Sequence, residues 1–392
     1  MSSSAKQSMR GPWPAAACGI LLALALPQAF AAPAASAAAP AVAGWPQTLA
    51  AWGITVSGDV AVSWYGSNGY PFNIHQFDTQ HDTFQLDEAG LQVGYQPQQG
   101  FGAFADLIAG EDARILHLAE DGHDNSFDAR QAYIQYTSGR LTLIGGKFVT
   151  LAGAEVIDPA QDASVSRSLL FTEAEPLDHT GIRATYVLTS ALTLIGGIND
   201  GWNVTAVSYG SKTGEAGVAW TPTERFSLAS QGYFGKAEYL PGTSVRVDAD
   251  RTLVDLVATL HATPALTFAV NADWIRQDQA GGPRTRAAEW DGIAAYLDYR
   301  WSARWRVSLR GEYLDDKDGL VTATAGGQHL WEGTVTLGFY PAKRFELRLE
   351  GRYDAAQAPF FYRSDPTRAS SASPALLADS LSEIALQGVY AF

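Results

Sequence analysis

The sequence predicts an all-β fold, a closed up-and-down antiparallel barrel of about 16 strands that spans a membrane. Three observations carry this prediction: apolar and polar residues alternate beyond residue 53, short turns alternate with long polar connections, and the strand count is even. The chain has 392 residues, a formal net charge of -14 and one cysteine. This composition argues against a nucleic-acid partner and against a disulfide scaffold or thiolate metal cluster.

The N-terminal segment reads as an export signal rather than as part of the fold. Residues 1–31 fit a secretory signal peptide: basic residues precede an uncharged apolar run over 15–26, and an A-x-A cleavage site follows. The apolar run is too short for a spanning helix, which needs about 20 residues. Residues 32–53 form an Ala/Pro-rich lead-in, and residues 54–392 form the predicted barrel.

The final strand shows the alternation that predicts the fold. Ile384, Leu386 and Tyr390 fall on one face, whereas Glu383 and Gln387 fall on the other. Side chains of a strand alternate between its two faces, so each strand has one apolar wall and one polar wall. In a closed barrel the apolar wall meets lipid, the polar wall lines the lumen, and no strand edge stays unpaired.

The connections between strands are of two kinds. Seven short turns define seven hairpins, and an opening strand over 54–65 and a closing strand over 381–392 complete the count of 16. Long loops on one side and short turns on the other are typical of bacterial outer-membrane barrels. A soluble stack of β-sandwiches is the alternative, but no linker divides the strands. Aromatic residues flank the turns and predict a periplasmic girdle: Tyr95, Tyr136, Trp220, Tyr299 and Phe339 before them, and Phe101, Phe226, Trp305 and Phe345 after them.

A barrel of 16 strands leaves an aqueous channel unless something fills it. The longest interior connection, 149–178, is the predicted constriction loop, and a solvated surface loop is the alternative. The loop is acidic, whereas strand parity turns arginines into the lumen. The acidic residues are Glu155, Asp158, Asp162, Glu173, Glu175 and Asp178, and the inward arginines are Arg183, Arg306, Arg310, Arg348 and Arg352.

Two interpretations of these charges stay open. An acidic loop facing a basic wall creates a transverse field that orients dipolar solutes and favours small polar molecules. Alternatively, the run from Glu346 to Arg352 forms a cross-strand ion-pair ladder that stiffens the wall. The sequence does not decide whether anions or cations are preferred.

Several segments resemble the putative β-barrel porin-2 family of Gram-negative bacteria. They are DTFQLDEAGLQVGYQP (82–97), DARQAYIQY (128–136), GGKFVTLAGAEV (145–156), SRSLLFTEAEPLDHTGIRATY (166–186) and GGINDGWN (196–203). The resemblance implies an outer-membrane pore and, through matching positions beside the long loop, anchoring roles for Lys147, Arg167 and His179. A packing or capping role is the alternative for His179. The terminal Phe392 is similar to the insertion signal of outer-membrane barrels, and the likeness to general porins implies a homotrimer.

Catalytic chemistry is not recognisable in the sequence. No G-x-S-x-G, P-loop or H-E-x-x-H motif occurs, so we expect no enzyme, no catalytic residue, no cofactor and no metal site. Loop histidines near aspartates lack the spacing of metal ligands and are expected to be solvated. The residues concerned are His75, His81, His117 and His123.

The sequence therefore predicts an outer-membrane porin that passes small hydrophilic solutes or ions by passive diffusion. Its expected partners are outer-membrane lipid, lipopolysaccharide and the solutes, with no nucleic acid. An outer-membrane barrel enzyme, and an adhesin or structural barrel without transport, are the alternatives.

Overall fold

The protein is described here by a computed structural model that covers residues 49–70, 74–120, 123–204, 212–239, 246–278, 286–363 and 376–392. The predicted signal peptide over 1–31 and nearly all of the lead-in over 32–53 lie outside these residues. Both boundaries therefore stay predictions.

The described chain is built almost entirely from strands, with two short helices in the long connections. The helices are α1 (Glu111–Glu120) and α2 (Leu169–Glu173), and a minor two-stranded sheet is formed by β16 (Phe361–Tyr362) and β17 (Leu377–Ala378). The barrel strands are β1 (Ile54–Ser67), β2 (Thr83–Tyr95), β3 (Gly100–Ala109), β4 (Phe127–Ser138), β5 (Leu141–Val149), β6 (Asp178–Val187), β7 (Leu192–Asn199), β8 (Thr213–Thr223), β9 (Phe226–Tyr239), β10 (Arg246–Thr263), β11 (Leu266–Gln277), β12 (Ala288–Tyr299), β13 (Trp305–Asp316), β14 (Gln328–Ala342), β15 (Phe345–Ala356) and β18 (Ser380–Ala391).

The 16 barrel strands form one closed antiparallel sheet in which neighbours along the chain pair with each other. The first and last barrel strands complete the ring, with Asp59 opposite Ala391 and Ser67 opposite Glu383. Closure gives every strand a partner on both sides, so no row of backbone N–H and C=O groups faces the hydrocarbon. The predicted 16-stranded barrel is confirmed.

The helices were not expected from the pattern of the sequence. The α1 segment reads as part of a polar connection, but Glu111 and Asp112 occupy its first turn and His117 its last turn, an order that suits the helix dipole. In α2, the Ser168 side chain caps the start by accepting a hydrogen bond from Phe171 N. Neither helix, nor any other helix among the described residues, is long and apolar enough to cross a membrane.

Burial alternates along the strands as the two-residue period requires. On β15, Leu347 and Leu349 are exposed on the outer surface, whereas Arg348 and Glu350 are buried inside. Aromatic side chains pack together beside the short turns, as in the pairs Phe101–Tyr136 at 4.8 Å and Trp305–Phe339 at 4.5 Å between ring centroids. The outer surface therefore has the apolar belt and aromatic margin of a barrel in lipid.

The lumen is less uniformly polar than the alternation suggests. Leu169 and Leu170 of α2 pack in one apolar cluster with Trp290, Leu314 and Leu330 on the wall. These wall residues lie at the ends of β12, β13 and β14 that face the long loops. Part of the inward surface is thus shaped to receive a loop rather than water.

Substitution of Val335 tests the lipid-facing surface. Val335 is the central residue of β14 and is 52% exposed on the outside. We expect Val335→Arg to lower the free energy of unfolding by about 2–4 kcal/mol, because the charge enters the middle of the hydrocarbon. The cost for Ala342→Arg, at the rim of the same strand, should be about 0–1 kcal/mol. Denaturant unfolding in phospholipid vesicles measures both, and equal costs at the two depths would contradict the assignment.

Candidate functional site

The connection between β5 and β6, residues 150–177, folds into the barrel and is called the lumen loop below. Most of its side chains are buried, including Ser166, Arg167 and Leu169 at 1%, 2% and 0% exposure. Ala154 N donates to Asn271 Oδ1 on β11 at 2.8 Å, whereas later parts of the loop reach β13 and β15. The lumen loop therefore crosses the bore and contacts walls that are far apart in sequence.

Carboxylates of the wall hold backbone N–H groups of the lumen loop. Glu350 on β15 accepts hydrogen bonds from Val165 N at 2.6 Å and Ser166 N at 2.8 Å. Glu312 on β13 accepts from the first two residues of α2 at 3.1 and 3.3 Å. Bonds to an ionised acceptor are stronger than neutral ones, so these contacts fix the loop backbone to the wall.

Arginines of β15 hold backbone carbonyls of the same loop. Arg348 Nη1 donates to Pro159 O at 2.9 Å and to Ser164 O at 3.4 Å, and Arg352 Nη1 donates to Arg167 O at 2.7 Å. Both side chains also bond to carboxylates on their own strand. These arginines therefore connect ion pairs along β15 to the backbone of the lumen loop in one network.

Among the five predicted wall arginines, Arg310 on β13 is the one that pairs directly with an acidic residue of the lumen loop. Its Nη1 lies 2.7 Å from Glu155 Oε1 and 2.9 Å from Ser166 O, and its Nε lies 3.1 Å from Glu332 Oε2. The opposite charges touch here, instead of facing each other across a gap. Removing Arg310 would leave the buried carboxylates of Glu155 and Glu332 without this cation.

The two remaining predicted arginines lie inside but are held differently. Arg306 Nε donates to Glu346 Oε1 at 2.6 Å, and no described contact joins Arg306 to the lumen loop. This pair passes over Gly338 of β14, where a Cβ would lie 2.3 Å from the Glu346 carboxylate. Arg183 bonds to Glu215 Oε1 at 2.9 Å and reaches only the end of β5, at Val149 O.

Two acidic residues shape the lumen loop from within. Asp158 accepts a hydrogen bond from Ala160 N at 2.8 Å and thereby closes a local turn. Asp162 accepts from Val156 N at 3.2 Å and pairs with Arg167 Nε at 2.8 Å. Burial raises the pKa of Asp162 to about 7, although the guanidinium of Arg167 opposes this shift.

The last three predicted acidic residues lie where the lumen loop returns to the wall. Glu173 is half-buried, and its carbonyl accepts a hydrogen bond from Trp290 Nε1 at 3.0 Å. Asp178 opens β6, 3.7 Å from Lys147 Nζ. Glu175 is buried beside two wall aspartates, and burial together with the negative charge of Asp255 raises the pKa of its carboxyl well above the usual range.

The three predicted anchoring residues have distinct contacts. Lys147 pairs with the last residue of α1 and with Asp128 Oδ2 at 3.0 Å. Arg167 donates to three carbonyl oxygens of the lumen loop itself, so it cross-links the loop internally. His179 stacks on Tyr233, with ring centroids 4.6 Å apart, and the Tyr233 hydroxyl contacts the start of the lumen loop.

The expectation that the loop histidines are solvated is wrong for His75. His81 and His123 are exposed and His117 is half-buried, but His75 is buried, because the first long connection also enters the barrel. His75 Nδ1 lies 2.5 Å from Asp78 Oδ2. No periodic pattern in the sequence marks this inward fold.

Comparisons with known proteins agree with this architecture. The model of the family described as "Putative beta-barrel porin-2, OmpL-like" matches residues 53–379. No curated protein sequence matches the chain significantly.

Solved structures with the same fold include OmpT of Vibrio cholerae in its trimer form, with 10% identity, a TM-score of 0.61, and coverage of 86% of this chain and 99% of that one. The outer membrane channel DcaP of Acinetobacter baumannii has 12% identity, a TM-score of 0.58, and coverage of 86% and 97%. An anion-selective porin from Comamonas acidovorans has 12% identity, a TM-score of 0.58, and coverage of 86% and 99%.

Substitution of Glu350 tests the attachment of the lumen loop. Glu350→Ala removes the acceptor of two buried N–H groups, each loss costing about 1–3 kcal/mol. We expect trypsin cleavage after Arg167 to accelerate by about tenfold or more, since loop opening becomes more frequent. Mass spectrometry of the fragments measures this rate.

The matched control is Asp298→Ala. Asp298 also lies on the inner wall, where it accepts from Ser308 Oγ at 2.8 Å, and no described contact joins it to the lumen loop. Cleavage of the control should stay at the wild-type rate. Equal rates for the two variants would show that Glu350 does not hold the loop.

Proposed function

Because the chain belongs to the OmpL-like putative beta-barrel porin-2 family, whose members are outer-membrane porins, we propose that the lumen loop is the constriction of its channel. The solutes would be small and hydrophilic and would cross by passive diffusion. A barrel of 16 strands is wide enough for an aqueous bore, so the loop decides how wide the passage is.

The observation that carries this proposal is that a loop rooted between β5 and β6 is bonded to strands on the far side of the ring. Ala154 is bonded to β11, and residues 165–170 are bonded to β13 and β15. A loop fixed at both ends gives an opening of constant size, as a size-selective filter requires. In a solvated surface loop, these backbone groups would bond to water instead of to the inner wall.

The lining on the short-turn side of the loop supports a polar solute. Several inward residues there are polar and at least partly exposed to the bore, in contrast to the apolar cluster around α2. They include Gln92, Gln96, Thr137, Thr142, Asp298 and Tyr340. Such a surface solvates polar molecules and excludes apolar ones, which would lose contacts with water without gaining apolar ones.

We also propose that the channel has no catalytic activity and that three copies assemble in the membrane. The lumen carboxylates and arginines described above bond mainly to one another or to the loop backbone, which suits a rigid lining better than proton transfer. The trimer is suggested by the trimer form of the Vibrio cholerae structure. Outer-membrane lipid and lipopolysaccharide would surround the apolar belt.

Planar-bilayer recording tests the channel and its constriction. We expect the purified protein to give discrete conductance steps, and deletion of residues 155–175 to give larger steps because the bore widens. Val335→Ala, on the lipid face, should leave the step size unchanged. Channel steps of the same size after the deletion would place the lumen loop outside the conducting path, and the absence of steps would favour an enzyme or a structural barrel.

Reversal potentials in a salt gradient test the role of the wall arginines. We expect Arg306→Ala to shift selectivity toward cations, because the lumen loses a positive charge and Glu346 keeps its negative one. Arg310→Ala should shift selectivity in the same direction and also change conductance, since Arg310 holds Glu155. Lys343→Ala, in an exposed turn, is the control; a shift as large as that of Arg306→Ala would mean that selectivity is set at the mouth.

A further inference from the structure

Three carboxylates meet where the lumen loop returns to the wall. Glu175 comes from the loop, and Asp255 and Asp273 form a cross-strand pair on β10 and β11. One oxygen from each side chain can be chosen so that all three lie within 4.8 Å of one another. From this geometry we propose that Glu175, Asp255 and Asp273 form a calcium site that fastens the lumen loop to the barrel.

The charge of this group is not balanced by protein cations. Glu175, Asp255 and Asp273 are 6%, 0% and 4% exposed, and within the described part of the chain none of them forms an ion pair with Lys, Arg or His. Their described donors are neutral: Asn271 Nδ2 donates to Asp255 Oδ2 at 2.9 Å, and the Gly153 backbone also donates to Asp255. Several buried carboxylates cannot all ionise together without a cation or bound protons.

The loop carboxylate supplies a second and independent indication of a ligand. Both Oε1 and Oε2 of Glu175 are buried without a hydrogen-bond partner, and one oxygen of each aspartate is in the same condition. Gly153 lies against this carboxylate with φ +89°, and a Cβ there would approach Glu175 Oε2 to 1.8 Å. The loop thus leaves room for the carboxylate beside the aspartates, and no described N–H donor or protein cation meets its oxygens there.

The donor atoms match calcium chemistry. Ca²⁺ takes six to eight oxygen ligands at about 2.3–2.6 Å, so oxygens on opposite sides of the ion lie about 5 Å apart. Three carboxylates can supply several of these ligands, with water from the bore completing the shell. Mg²⁺ demands a smaller octahedron with bonds of about 2.0–2.1 Å and keeps more of its water, so the looser cluster favours calcium.

A second acidic group in the lumen shows the opposite arrangement. Asp59, Glu88 and Asp158 also lie together, but the Arg130 guanidinium is 2.7 Å from Glu88 and 3.7 Å from Asp158. A protein cation therefore occupies the place that a metal would take. This contrast makes Asp59 a matched control for the site at Glu175.

Calcium binding by the full mature chain, refolded in detergent without lipopolysaccharide and freed of metal, tests the proposal. We expect isothermal titration with CaCl₂ to show one tight site per chain, and the thermal unfolding midpoint to be higher in Ca²⁺ than in EDTA. The double variant Asp255→Asn, Asp273→Asn should lose the tight site and the thermal shift. Asp59→Asn should keep both.

The order of the thermal unfolding midpoints of the wild type and the double variant should differ between EDTA and Ca²⁺. In EDTA the double variant should unfold at the wild-type temperature or above it, because charges that repel each other are gone, whereas in Ca²⁺ it should unfold below the wild type. Should the double variant not fold, Glu175→Gln on the loop should bind calcium roughly tenfold more weakly or worse. A wild type that takes up no calcium, or variants that bind it equally well, would overturn the site. Neither result depends on transport through the barrel.

Discussion

Compensation of charge inside a closed barrel is the constraint on which this structure depends. The strands satisfy their own backbone groups, so the lumen has no free backbone to pair with inward arginines and carboxylates. Several of those side chains are buried, and burying their charges without partners would cost free energy. The buried residues include Arg310, Glu312, Glu350 and Arg352. The lumen loop supplies the partners, because its own backbone has N–H and C=O groups to offer.

The alternation of β15 turns this constraint into a specific docking surface. Arg348, Glu350 and Arg352 point inward in order, and they bond to a carbonyl, two N–H groups and a carbonyl within residues 164–167. Donor, acceptor and donor side chains two residues apart on the wall thus match the acceptor, donor and acceptor groups of four successive loop residues. The wall binds the loop much as a neighbouring strand would, but through side chains.

The fold could be predicted from the sequence because it depends on a local period. Alternation is readable within a dozen residues, and its repetition along the chain gives the turn spacing and the even strand count. Parity alone turns Arg306 and Arg310 inward. Parity also places Asp255 inward, but its pairing with Asp273 depends on a register shift between His261 and Thr263 that no period marks. The wall residues that bond to the lumen loop could not be predicted from a local pattern, because Val165 and Glu350 are 185 residues apart. The burial of His75 was equally hidden, since an irregular connection has no period that marks its inward side.

Direct pairing changes how charge acts in the bore. A free acidic loop opposite a free basic wall would create a strong field across an aqueous gap, whereas Glu155 in contact with Arg310 leaves a short dipole. Arg306 is paired too, across Gly338, so the wall presents ion pairs more often than single charges. In the proposed channel, selectivity would follow from small imbalances of charge around these pairs. The charges of the lumen loop therefore serve first to hold the loop against the wall, and in the proposed channel the opening that remains is what a solute would meet.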